Sequence, residues 1–204
     1  MQFSRRGVIA LPLLAAIPVR VLAGVSLTPA DQALVDQAVG YLEGLGDAKG
    51  RFRQTDWRGG VTEGTIYVAR PGRARFEYDP PAGLVIVSDG KTVTVANGRL
   101  KTNRRYPLDS TPLGLFLAKQ IRLDRGVRLT GVQRRREGGF SITARDGRGR
   151  AQGEITLDFD EAPLRLSGWA ITDPQHRTTT VQLADFARVG SLSPDLFAPP
   201  DERG

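Results

Sequence analysis

No cysteine occurs in the 204 residues, which excludes disulfides and thiolate metal sites and means that the chain is not itself a lipoprotein. Histidine occurs once, at His176, so the three or four ligands of a usual zinc site cannot be assembled. That histidine stands in Asp173-Pro174-Gln175-His176, which reads as a turn. No phosphate-binding loop, dinucleotide fingerprint or nucleophile elbow is present. Enzymatic function therefore finds no support: no catalytic residue, no metal and no cofactor is implied. No apolar run is long enough to anchor the chain across a bilayer; the longest, over 7–19, is short and interrupted by Pro12 and Pro18.

What is present at the start resembles an export signal. Arg5-Arg6 precede the apolar run, and Val21-Leu22-Ala23 offers a small-residue cleavage site. Cutting after Ala23 divides the chain into a signal, 1–23, and a single domain, 24–204. Ser4-Arg5-Arg6 fits a twin-arginine signal as well as an ordinary secretory one. The precursor carries a net charge of +7, and loss of Arg5, Arg6 and Arg20 leaves +4. Nucleic acid is a poor partner for an exported protein. An anionic membrane surface is a better match for this charge.

Hydrophobic residues at 40% and charged residues at 25% describe an ordinary globular domain. Thr28, Pro29 and Asp31 form a helix start, and Ala30, Leu34, Ala38, Leu42 and Leu45 follow near helical spacing until Gly44 and Gly46. From Gly50 the period becomes two. The pattern predicts strands over 51–56, 61–69, 73–79, 84–88, 92–96, 100–106, 127–136, 140–145, 154–160, 164–172 and 178–186. Between the sixth and seventh, Thr111 and Pro112 begin a short apolar helix with Leu113, Leu115, Phe116 and Leu117. A long meander without βαβ alternation predicts a mainly β fold, a barrel or strongly curved antiparallel sheet.

Two hairpins assign faces. A two-residue turn at Asp89-Gly90 pairs Ile86 with Val93 and Leu84 with Val95, which collects an apolar inner face. A turn at Pro71-Gly72 puts Ala74, Phe76 and Tyr78 opposite Ala69, Tyr67 and Thr65, leaving Ile66 and Val68 on the charged face. Arg134-Arg135-Arg136 reads as a solvated hairpin end, and Asp158, Asp160 and Glu161 as turn acids. An ordinary closed barrel with a filled core is the first reading of this pattern, and composition does not distinguish it from a ligand cavity.

The order of segments resembles the outer-membrane lipoprotein carrier family, LolA, in its alphaproteobacterial form. The matching stretches are Gly50-Arg51-Phe52-Arg53-Gln54, Gly64, Arg70-Pro71-Gly72-Arg73-Ala74-Arg75-Phe76-Glu77-Tyr78, Pro80-Pro81 and Val87-Ser88-Asp89-Gly90-Lys91. Tyr106-Pro107-Leu108, Thr111-Pro112-Leu113, 164–172 with Trp169, Thr172-Asp173 and 192–197 complete the set. The resemblance implies a half-open barrel of about eleven strands with short helices as a lid over a hydrophobic cavity.

It also implies the site. Arg70 would latch the lid, Leu42, Leu113, Phe116 and Leu117 would be its apolar contacts, and Phe52, Ala74, Phe76, Tyr78, Leu84, Ile86, Val93, Val95 and Trp169 would wall the acyl-binding cavity. The implied activity is that of a monomeric periplasmic chaperone taking acylated lipoproteins from the inner-membrane LolCDE transporter to an outer-membrane receptor or the outer membrane itself. A relative that carries glycolipid, or one that senses mislocalised lipoprotein, would use the same fold. The tail Asp201 to Gly204 is short, which puts any tail-dependent control of release in doubt.

Overall fold

A computed structural model describes residues 27–121, 127–147, 149 and 151–200. The expected signal, 1–23, and the tail after Pro200 lie outside the described residues.

Helix α1, Pro29–Glu43, begins on the expected cap. The Asp31 amide donates to Thr28 Oγ1 at 3.1 Å, and the Thr28 amide donates to the Asp31 carboxylate at 3.2 Å. This reciprocal pair satisfies two amides that the first turn leaves open. The buried stripe is Leu34, Val35, Ala38 and Leu42. Val35 thus takes the place expected of Ala30, which is exposed.

Eleven strands follow: β1 (Asp47–Thr55), β2 (Val61–Ala69), β3 (Arg73–Tyr78), β4 (Leu84–Asp89), β5 (Thr92–Asn97), β6 (Thr102–Pro107), β7 (Val127–Arg134), β8 (Phe140–Asp146), β9 (Glu154–Glu161), β10 (Leu164–Thr172) and β11 (Thr178–Arg188). They form one antiparallel sheet in the order β6-β5-β4-β3-β2-β1-β11-β10-β9-β8-β7. The fold is mainly β, a curved open sheet with few helices, as the meander predicts. Each neighbour is also a neighbour in sequence except at β1–β11, the seam that joins two meanders. The edge strand β6 is exposed throughout and carries Arg104 and Arg105, charges that discourage pairing with another chain.

The two hairpins differ in register from expectation. Ala69 pairs with Arg73, so the β2–β3 loop has three residues, Arg70 to Gly72, closed by Gly72 at φ +81°. The loop amides serve other elements: Arg70 N donates to Gly46 O and Gly72 N to Leu117 O. Val68 therefore meets Ala74 and Ile66 meets Phe76, which brings Ile66 and Val68 into the core rather than onto the charged face. The β4–β5 turn centres on Gly90-Lys91, because Asp89 Oδ1 accepts from the amides of Lys91 and Thr92. Ile86 thus meets Val95 and Ser88 meets Val93. A shift of two residues keeps every side chain on its face, so the inner-face assignment survives.

The outer face of β2–β4 has its own cover. A 3-10 turn, Pro194–Phe197, lays Phe197 against Ala69 and Val87. Arg75 Nη1 donates to Leu196 O at 3.2 Å, and the Leu192 amide donates to Asp47 Oδ2 at 2.7 Å.

Candidate functional site

A 3-10 turn, Leu108–Ser110, leads from β6 into helix α2, Pro112–Leu117. Pro112 starts the helix as expected, but Thr111 does not cap it through its side chain; its hydroxyl donates to Leu108 O at 2.8 Å. Phe116 and Leu117 are buried, while Leu113 and Leu115 are half-buried against the core. A helix of under two turns has little stability of its own, so its place depends on what holds it.

Three groups hold it. The Arg70 guanidinium donates to Phe116 O and, at 2.5 Å, to Ala118 O. The Gly72 amide donates to Leu117 O at 2.9 Å. Just beyond, the Ile121 amide donates to Glu43 Oε1 at 3.0 Å, which ties the segment after α2 to the end of α1. Burial pulls Arg70 below its usual pKa, against the raising influence of the Glu43 carboxylate. It stays charged at any ordinary pH. The carbonyls at a helix C-terminus are orphan acceptors, so a cation placed there satisfies them and the helix dipole together.

Beneath the two helices lies a wholly apolar void of about 40 Å³. Val35, Ala38, Val39 and Leu42 roof it from α1, and Leu115 and Phe116 from α2. Its floor is Val127, Leu129, Ile142, Ala144, Ile155 and Leu157 from β7, β8 and β9, with Ile121 at the margin.

The residues expected in the cavity wall fall into a different arrangement. Phe52 meets Phe76 and Tyr78 edge-on, with ring centroids 5.7 and 4.9 Å apart. Phe76 meets Trp169 at 6.0 Å, and Trp169 stacks on Phe116 of α2 at 6.2 Å. The Phe52 ring lies over Gly64, where a Cβ would come within 2.6 Å of it; only glycine leaves room. The Tyr78 hydroxyl donates to Gln54 Oε1 at 2.8 Å, and burial raises its pKa to about 12 against that bond. Ala74 and Val93 are buried in the same core, with Ile86 and Val95 half-buried against it. Leu84, opposite Asn97 near the sheet end, is half-buried and apart from that cluster.

Of the expected site residues, Leu42 and Phe116 line the void, and Phe116 meets both Arg70, through its carbonyl, and Trp169, through its ring. The β7–β9 floor was missed. Its alternation of Val127, Leu129, Ile142, Ala144, Ile155 and Leu157 was visible, but faces were assigned only at the β2–β3 and β4–β5 hairpins. Bulges at Leu129/Gly131 and Leu166/Gly168 also break the period of two.

Polar chemistry elsewhere is structural. Arg134 pairs with Glu161 at 3.0 Å and Arg135 with Asp160 at 2.7 Å, so the arginine run is a cross-strand ion-pair site. His176 is exposed in its turn at φ +59°. Among the described residues no group of His, Cys, Asp and Glu could hold a metal, and no helix is long and apolar enough to cross a membrane.

Comparison with known proteins points the same way. The family described as "Outer membrane lipoprotein carrier protein LolA" matches residues 43–200. An outer-membrane lipoprotein carrier protein of Chromobacterium violaceum is 30% identical over 58% of this chain and 60% of its own length. One from Cupriavidus necator is 28% identical over 40% of this chain and 42% of its own. The chain thus spans about half the length of these relatives. Both are betaproteobacterial, which lends nothing to the expected alphaproteobacterial form. In fold, the chain is similar to a DUF1329 family protein from Desulfovibrio piger, with TM-score 0.52 and 12% identity over 84% of this chain and 98% of that one.

Proposed function

The chain belongs to the outer-membrane lipoprotein carrier family, LolA, and from that premise we propose that it is a periplasmic chaperone for the acyl chains of lipoproteins. In this reading it accepts cargo from the LolCDE transporter and passes it to an outer-membrane receptor or to the outer membrane. The observation that carries the reading is the apolar void roofed by two helices, one of them held at its C-terminus by the Arg70 guanidinium.

Cargo of this kind needs a shelter. Burying an acyl chain is worth about 0.8 kcal/mol per methylene, so a chain of roughly fifteen costs on the order of 10 kcal/mol to expose to water. An apolar cavity of about 150 Å³ takes a guest the size of benzene, so a void of about 40 Å³ corresponds to a closed state. Loading requires the helices to lift from the β7–β9 floor. Closed and open states must then lie within a few kcal/mol for cargo to enter and leave. Hydrogen bonds from a charged donor contribute about 1.5–3 kcal/mol each, so the two from Arg70 are enough to set that balance.

The test is reconstituted transfer with loading and release measured separately. Arg70→Leu should load but pass cargo on poorly, because the open, loaded state no longer competes with the latch. Arg70→Lys should be intermediate, since an ammonium cannot reproduce a two-pronged donor. Normal onward transfer by Arg70→Leu would reduce Arg70 to a structural loop residue. Mass spectrometry of the protein taken from its own cells should find a bound acylated polypeptide; free lipid in its place would favour the glycolipid reading.

A further inference from the structure

The antiparallel order brings the β1–β2, β3–β4, β5–β6 and β10–β11 turns, together with the β8–β9 connection, to the sheet end opposite the Arg70 loop. Trp57, Val61 and Leu100, three of the five large apolar side chains exposed among the described residues, stand at this end. Trp57 is 51% exposed and Leu100 71%. Strands lie about 4.8 Å apart, so the β2 and β5 ends are separated by roughly 15 Å along the sheet.

The charges around these side chains are unbalanced. Four of the local acids are engaged: Asp56 accepts from the Arg58 and Gly60 amides, Asp79 pairs with Arg51, Asp173 with Arg177, and Glu63 with Arg53. Arg58, Arg99 and Lys101 make no ion pair with any described residue. Arg58 and Arg177 instead lie over the Trp57 ring, at 4.5 and 5.7 Å from its centroid. An indole flanked by guanidinium groups, with an exposed leucine and unpaired cations on the same sheet end, matches the chemistry of a bilayer interface. Aromatic rings sit at headgroup depth there, and arginines meet lipid phosphates.

We propose that this end of the sheet, through Trp57, Leu100, Arg58, Arg99 and Lys101, docks reversibly on an anionic lipid surface. The contact is shallow: two apolar side chains and a few cations give a peripheral association that salt weakens. The end that touches lipid is then distinct from the end that holds the latch, so α2 is free to move while the protein is seated.

Cargo-free protein and vesicles test this without any transfer step, so its failure leaves the carrier reading untouched, and the reverse also holds. Vesicles containing phosphatidylglycerol should bind the protein at low salt, while phosphatidylcholine alone, or 0.5 M salt, should release it. Brominated lipid should quench Trp57 and spare Trp169, which is buried. Trp57→Ala combined with Leu100→Ser should weaken binding about tenfold, and Arg58→Glu or Lys101→Glu by about fivefold or more. All four positions are exposed, so circular dichroism should be unchanged. Equal affinity for neutral and anionic vesicles, or undiminished binding by these variants, would overturn the proposal.

Discussion

The two halves of the inner face solve packing differently. From β1 to β3, joined by Trp169 of β10, the face carries rings that lock edge to face, and even the backbone opposite Phe52 is pared to glycine. Across β7 to β9 the lining of the void is wholly aliphatic on the sheet side, with the rings of Phe140 and Phe159 stacked at 5.2 Å outside it. Rings in fixed edge-on contact have few alternative packings, whereas valine, leucine and isoleucine can repack around a guest with little loss. On the proposed reading, the edge-to-face cluster would serve as framework and the aliphatic lining of the void would accommodate cargo.

Single truncations should separate the halves most sharply. Phe52→Ala, at a fully buried ring, should cost about 3–5 kcal/mol in urea unfolding. Leu129→Ala, beside existing empty space and only half-buried, should cost about 2 kcal/mol or less while altering uptake of an apolar fluorescent probe. Equal losses would break the contrast. Filling the void is the next test. Ala144→Leu should raise stability by about 0.5–2 kcal/mol and weaken probe binding, whereas unchanged probe binding would place the guest elsewhere. The smallest effect is spectroscopic. Tyr78 should be seen ionising near pH 12 by ultraviolet titration. Because its folded pKa is raised, its contribution to stability is complete below about pH 10 and fades as pH rises toward 12. Ionisation near its ordinary value would show that the aromatic half admits water.

Much of this was readable in advance, where local chemistry decides the outcome. The capping pair Thr28 and Asp31 marks α1, and turn residues delimit β2 and β10 to the residue. The β2–β3 hairpin was not readable, because its loop amides answer to Gly46 and Leu117, which are distant in sequence or in another element. Arg70 and the aromatic wall were named through a resemblance to known carriers; spacing alone gives no reason to connect Arg70 with Phe116, 46 positions away. The β7–β9 floor of the void went unseen for a related reason. An aliphatic strand pattern looks the same whether the helix above it fits closely or leaves space.

The seam between β1 and β11 has a kinetic consequence. Phe52 pairs with Leu183, 131 positions away, while every other strand pair is a local hairpin or short connection, apart from the α2 crossover between the two edges. Closing a loop of that length costs about 4 kcal/mol of chain entropy before its contacts form. The two meanders should therefore assemble early and independently, with their union as the slow, late event. Until then each half presents an unpaired strand edge flanked by apolar side chains. Newly made chain is most open to aggregation, and most in need of protection, in the interval before β11 arrives.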